Sequence, residues 1–390
     1  MLGDTAYKES RDCHALRSDA VTAFKDNTFL FITSRSAGGT LGRVERRWLR
    51  VMQALVERGA TVLVICPLRA PIEDRARALG ATIAPYRMDK RNLIRTRSRL
   101  RKYLKRYRPG LAHATGFHAD LVLRWAARDL PVKVAVSLMC GKWPPRGKGS
   151  LNTRIRRWSD ARTLKRVDAF FVDCTALTHL LTEAGVPPGR VVFDPPSVAI
   201  GRVADEATTP VARPRGRPLV GYAGALEHNR GLATLVAAAP LLRECYPGIA
   251  IVVAGDGPAR ASLQPAASDG RIEFMGPVVS APAVLASLDV CVFPVTEAGT
   301  PTSLLEAAAL GQPIVASAVS GVADLFEDGA EISLVPPGDP AALARAVSRL
   351  LGEPERARQM GERARMRVID EYSAAAAVER HLELYQRLMR

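Results

Sequence analysis

With 390 residues, 47% of them apolar and 24% charged, the chain has the composition of a soluble globular protein with room for two domains. No apolar run is long enough to cross a bilayer as a helix, and residues 1–27 lack the apolar stretch of a secretory signal, so neither a transmembrane helix nor a signal is expected and a cytoplasmic protein is predicted. The net charge of +16 is unevenly spread: residues 218–390 hold 14 Arg, no Lys and 20 acidic groups, which leaves 41 of the 55 basic and 19 of the 39 acidic residues to positions 1–217.

A half this basic points to an anionic partner, whether nucleic acid, a membrane surface or a phosphorylated substrate. In chain order, residues 1–27 read as a loosely held polar extension. FLFITS (29–34) is a first strand, followed by the Gly-containing SAGGTLG. A helix runs from Val44 to about Arg58, and TVLVICP (61–67) is a second strand. Residues 86–110 hold 11 Lys/Arg and one Asp, with Leu93, Leu100, Leu104 and Tyr107 near helical spacing. Such a helix either packs one stripe on its own domain and solvates the rest, or docks on anionic lipid. GLAHATG (110–116), KVAVSLM (133–139) and AFFVDC (169–174) are further strands. Residues 142–166 form a second basic cluster, with nine Lys/Arg, Trp143 and Trp158.

Residues 202–217, rich in Pro, Arg and Ala and without periodicity, read as a linker. A second series follows: PLVGYAG (218–224), IAIVVAG (249–255), RIEFMG (271–276), VCVFPV (290–295) and PIVASA (313–318). Strands alternating with helices predict two parallel α/β sheets, with ligands beyond the C-terminal strand ends. The six cysteines, at 13, 66, 140, 174, 245 and 291, form no C-x-x-C pair, so reduced thiols are expected rather than disulfides or zinc. No metal is expected: Asp256-Gly257-Pro258 has no second carboxylate at ligand spacing and reads as an ordinary turn.

The segment TEAGTPTSLLEAAALGQPIVAS (296–317) carries the chemistry. Its loop opens a short helix, and the N–H groups of Thr302, Ser303 and Leu304 at that helix start suit a phosphate. Ser303-x-x-Glu306 also fits a capping box, in which Glu306 bonds back to Ser303. Both readings stand on these residues alone.

The order VGYAGALEHNRGLATLVAA (220–238), IVVAGDGP (251–258), IEFMGPV (272–278), LASLDVCVFP (285–294), GTPTSLLEAAALGQPIVAS (299–317), LVPPGDPAALARAVSRLL (334–351) and EYS (371–373) resembles the GT4-type nucleotide-sugar glycosyltransferases. Residues 42–65, 110–116 and 167–198 match that family more loosely. The resemblance implies the GT-B fold: α/β, two Rossmann-like domains facing across a cleft. It implies an extension at 1–27, an acceptor-binding domain at 28–201, a linker at 202–217, a nucleotide-sugar-binding domain at 218–372 and a C-terminal helix (373–390) returning to the first domain. The activity implied is retaining, metal-independent transfer from a nucleotide diphosphate sugar, which is a substrate rather than a cofactor, to a hydroxyl acceptor.

Residue by residue, Arg230 matches the second of a basic pair that grips the donor diphosphate, and the first position holds Ala225. Glu306 matches the later of two glutamates and would meet the nucleotide ribose. The earlier one, facing the sugar, falls on Ala298, with Glu297 one place out of register. His113 matches a histidine of the first domain. The donor site implied further comprises Gly39 and Gly42 in the Gly-rich loop, Gly224, Gly255, Gly276, Pro277, Val278, Thr300, Thr302, Ser303 and Leu304. The basic clusters lie in the acceptor half, so the expected acceptor is lipid-linked or a polysaccharide, met at the anionic inner face of the plasma membrane. Ala225 and Ala298 favour an alternative, a catalytically impaired GT-B-like module that binds nucleotide or a partner. Nucleic acid is not the expected partner, since no zinc-finger spacing or RNP-like aromatic pattern is present. A dehydrogenase is disfavoured by the lack of G-x-G-x-x-G after a first strand.

Overall fold

The computed structural model describes residues 24–34, 41–67, 69–84, 93–140, 163–209, 211, 218–268, 270 and 272–390. The first sheet holds β1 (Thr28–Thr33), β2 (Thr61–Ile65), β3 (Thr82–Ile83), β4 (Leu111–Thr115), β5 (Lys133–Leu138), β6 (Ala169–Val172) and β7 (Val191–Phe193), in the order β3-β2-β1-β4-β5-β6-β7. The second holds β8 (Leu219–Ala223), β9 (Ala250–Ala254), β10 (Glu273–Gly276), β11 (Val290–Phe293), β12 (Ile314–Ser317) and β13 (Ser333–Val335), in the order β10-β9-β8-β11-β12-β13. Central strands such as FLFI and LVGYA are buried throughout, as continuous apolar runs covered by helices on both faces must be. Both orders reverse once, between β1 and β4 and between β8 and β11. Such reversals open the crevices in which parallel sheets bind ligands.

Around the first sheet lie α1 (Arg43–Glu57), α2 (Glu73–Ala78), α3 (Leu93–Tyr107), α4 (Phe117–Ala126) and α5 (Thr175–Glu183). The later helices are α6 (Ile200–Ala207), α7 (Leu232–Cys245), α8 (Arg260–Ser268), α9 (Ala281–Ser287), α10 (Thr302–Ala309), α11 (Pro340–Gly352), α12 (Pro354–Tyr372) and α13 (Ala374–Met389). The described residues within Met1–Ser137, Gly149–Phe170 and Val378–Arg390 form one compact unit, and those within Leu138–Lys148 and Phe171–Ala377 a second.

In the first unit, α13 adds Tyr385 to the core, where its ring stacks on Phe29 at 5.7 Å between centroids. Buried Glu45 ties β1 to α1: Thr33 Oγ1 donates to its Oε1 (2.9 Å) and the Gly42 N–H to its Oε2 (2.8 Å). On α3, Thr96, Leu100 and Leu104 are buried, while Leu93 and Tyr107 are half-buried at the ends of the stripe. Arg99, Lys102, Lys105 and Arg106 stay exposed on the same helix, beside Ile94 at 76% exposure.

Two expectations are corrected. The segment read as a linker from 202 begins inside α6, because Val203 is buried (1% exposed) and anchors that turn; residues 212–217 lie outside the described residues. The cysteines are not all free: Cys140 and Cys174 form a disulfide, with Cα atoms 6.4 Å apart. They are 34 residues apart in sequence, but each lies just past the C-terminal end of one of two neighbouring strands, β5 and β6, where the sheet brings them together.

Candidate functional site

The second unit gathers most of the expected residues at the C-terminal ends of β8 and β11, the point where its strand order reverses. After β8, the chain turns through Ala225 and a short 3-10 segment, His228–Arg230, into α7. Gly231 closes that turn at φ 63°, and a Cβ there would stand 1.8 Å from the Pro294 carbonyl oxygen. The Thr296 N–H donates to the Asn229 carbonyl at 3.1 Å, so the loops after β8 and β11 are joined backbone to backbone. Gly231→Ala is therefore expected to cost about 1–3 kcal/mol in unfolding free energy, combining left-handed strain with displacement of Pro294. Chemical denaturation would show the loss as a lower midpoint at unchanged slope.

Tyr222 is the hub of the site. Its hydroxyl donates to the Ala225 carbonyl at 2.8 Å. Burial pushes the phenol up to about 12, against the opposing pull of nearby Arg230 and Ser303, so the ring stays neutral near pH 7. Gly224 leaves the room: a Cβ there would lie 2.8 Å from Ser303 Oγ and 2.9 Å from the Tyr222 hydroxyl. Arg230, with 18% of its side chain exposed, pairs with Glu227 at 3.6 Å. The next strand ends continue the row, since the Gly255 N–H donates to the Gly276 carbonyl at 2.7 Å. Pro277 and Val278 follow Gly276 directly, the first exposed and the second half-buried.

Helix α10 begins at Thr302, with Pro301 as its N-cap and no side-chain cap bond. Ser303 and Leu304 are buried in its first turn. The capping-box reading of Ser303-x-x-Glu306 therefore fails: Glu306 sits too far into the helix to cap it, and its Oε1 instead accepts from Arg202 Nη2 on α6 at 2.7 Å. Thr300 is buried, with its hydroxyl donating to the Gly321 carbonyl. Glu297 is exposed on the loop before α10, beside half-buried Ala298.

His113 belongs to the first unit. It is fully buried on β4, with Nδ1 2.5 Å from the Tyr385 hydroxyl and Nε2 2.9 Å from Ser137 Oγ. Burial holds its pKa well below the usual imidazole range, with His381 and Arg47 acting in the same direction. Both ring nitrogens thus have partners within the core of the first unit. Gly42 caps α1 through Glu45, as above, and Gly39 lies outside the described residues.

Two participants escaped the sequence reading. Tyr222 lay inside the strand PLVGYAG, from which it was not singled out, although a hydroxyl near a strand's C-terminal end is a visible signal. Arg202 lay in the supposed linker, where nothing marks it. Asp256-Gly257 is a local turn, with the Gly257 N–H donating to Asp256 Oδ1 at 2.9 Å. Cys140, Asp173 and Cys174 bring their ligand atoms within 4.8 Å of one another, but the two sulfurs are bonded to each other.

The family model described as "Glycosyl transferases group 1" matches residues 217–353, and that described as "Glycosyl transferase 4-like domain" matches residues 42–197. The chain is 35% identical over 191 residues to 2-deoxystreptamine N-acetyl-D-glucosaminyltransferase of Streptomyces fradiae, an alignment covering 47% of this chain and 45% of that protein. It is 28% identical over 288 residues to 2-deoxystreptamine glucosyltransferase of Streptomyces kanamyceticus, covering 68% of this chain and 73% of that one. Among solved structures, Anabaena Alr3699/HepE in complex with UDP superimposes with a TM-score of 0.74 at 15% identity, covering 92% of this chain and all of that one.

Proposed function

The chain belongs to the GT-B glycosyltransferases of the GT4-like, group 1 family, and from that premise we propose that it moves a sugar from a nucleotide diphosphate sugar to a hydroxyl acceptor with retention of configuration. The observation that carries this is the strand end kept open by Gly224, flanked by the Tyr222 hydroxyl and by Ser303 at the start of α10, with Arg230 in the turn that follows the same strand. A guanidinium and the N–H groups of Thr302 and Ser303, which open α10 ahead of the Leu304 N–H bonded to the Pro301 carbonyl, suit a diphosphate.

In the reaction assigned, the bond from the anomeric carbon to the diphosphate oxygen breaks and a bond to the acceptor oxygen forms on the same face. The acceptor proton passes to the leaving phosphate oxygen. Arg230 and the N–H groups of Thr302 and Ser303 stabilise the charge that develops there, without a metal. Glu306 orients the ribose, and exposed Glu297 is the carboxylate next to the position that faces the sugar. The relatives from Streptomyces act on 2-deoxystreptamine by name, and the Anabaena structure holds UDP. A hydroxyl-rich acceptor and a uridine donor are therefore the first pair to try. A thermal-shift screen with UDP-, GDP- and ADP-sugars tests the reading: a true donor raises the melting temperature as mass action requires, and Arg230→Ala blunts the rise. If no sugar nucleotide shifts the melting temperature, the reading is wrong.

The acceptor we propose is membrane-borne, met through the exposed cationic face of α3. Sedimentation with vesicles containing phosphatidylglycerol at low salt should carry the protein down. Replacing Lys102, Lys105 and Arg106 with alanine should weaken that binding by roughly 100-fold, at about 1 kcal/mol per charge. Equal binding to neutral vesicles would remove the membrane from the proposal.

A further inference from the structure

Glu306 does not stand alone. Arg202 on α6 donates from Nη1 to Glu206 Oε1 and from Nη2 to Glu306 Oε1, both at 2.7 Å. One planar guanidinium thus spans two carboxylates, a task that a single ammonium does not reproduce. The anchor side is rigid. Val203 is buried beside Arg202, and Ser280 Oγ donates to the Glu206 backbone carbonyl at 2.9 Å, fastening the end of α6 to the start of α9. The other side is nearly enclosed: the Glu306 side chain is 11% exposed, against 46% for Arg202.

Glu306 Oε1 is therefore committed to a charge-assisted bond. Its Oε2 has no hydrogen bond among the described residues and is not among their fully buried unpartnered atoms, so it reaches solvent. A carboxylate that reads a ribose hydroxyl must be held in one rotamer with one oxygen open, because reorientation on binding weakens recognition. We propose that Arg202 is a positioning residue for nucleotide recognition: it clamps Glu306 Oε1 so that Oε2 is presented, already oriented, to a ribose hydroxyl of the donor. This inference rests on the proposed ribose role of Glu306. The competing role is purely structural, a bridge that holds α6 to α10 and changes stability without touching recognition.

The experiment compares Kd by calorimetry for whichever of UDP, GDP and ADP binds the wild-type chain most tightly, and for its 2′-deoxy and 3′-deoxy counterparts. Wild type should prefer the ribonucleotide over at least one deoxy form by about tenfold or more, the return on one charge-assisted hydrogen bond. Glu306→Gln should bring that preference close to unity. Arg202→Met should lose most of it although Glu306 is present, and the double variant should discriminate no worse than Glu306→Gln alone. Arg202→Lys, which keeps charge and bulk, should recover only part of the preference.

The proposal is overturned if Arg202→Met and Arg202→Lys keep the wild-type preference while Glu306→Gln loses it. In that case the clamp is structural and Glu306 still reads ribose. If wild type and Glu306→Gln share the same preference, the ribose role of Glu306 fails and the inference fails with it. If none of the three nucleotides binds wild type, the proposed function itself is what has failed. Melting temperatures of all variants separate lost recognition from lost folding.

Discussion

Replacing Arg230 with alanine is expected to lower kcat/KM for the sugar nucleotide by about 10²–10³-fold, the usual loss when one donor to a developing anion is removed. The reasoning is local. Arg230 is held by a turn that Gly231 packs against Pro294 and that Asn229 ties to Thr296, so its guanidinium starts from a fixed base. Its ion pair with half-exposed Glu227, at 3.6 Å, is weak enough to give way to a diphosphate. The position that the resemblance pairs with a second cation is Ala225, so the alanine variant has no guanidinium left in the turn between β8 and α7. Stability should barely change, because a long, half-exposed ion pair contributes little. Arg230→Lys should recover part of the rate, since it restores the charge but not the fork. Steady-state kinetics with a saturating acceptor would read both effects.

Glu306→Gln should raise the donor KM by roughly 10–100-fold with a smaller change in kcat, because a hydrogen bond from a ribose hydroxyl to a carboxylate contributes in the ground state and the transition state alike. The substitution keeps the shape of the side chain and leaves Arg202 bonded to Glu206, so the melting temperature should fall by only a few degrees. A glutamate that merely held α6 to α10 would give the opposite pattern: a lower melting temperature and an unchanged KM.

Much of the fold was legible because strands covered on both faces write themselves as unbroken apolar runs. FLFIT, TVLVI, AIVVA and VCVF could be read directly. Thr82–Ile83, Val191–Phe193 and Ser333–Val335 could not, being two or three residues long, half-exposed in part and at sheet edges. The site was legible in its backbone and illegible in its side-chain pairings. The start of α10 follows from helix-end polarity, and Gly224 was named through the resemblance. Glu306 could be read as a cap or as a ligand group until the helix start at Thr302 removed the first option. Its partner Arg202 is about a hundred residues away in sequence, and no local spacing encodes such a contact. His113, singled out by resemblance, has partners in Tyr385 and Ser137 that no local spacing shows either. The Cys140–Cys174 pair was hidden for the same reason as Arg202: adjacency of strand ends is a property of sheet order, not of spacing.

The most direct measurement is the crystal structure of the chain soaked with the nucleoside diphosphate that gives the largest thermal shift. The account predicts density for the diphosphate beyond the ends of β8 and β11, within hydrogen-bonding distance of Arg230 and of the N–H groups that open α10, with the ribose against Glu306. A diphosphate seated elsewhere, with Arg230 still paired only to Glu227 and Glu306 touching nothing but Arg202, would contradict it.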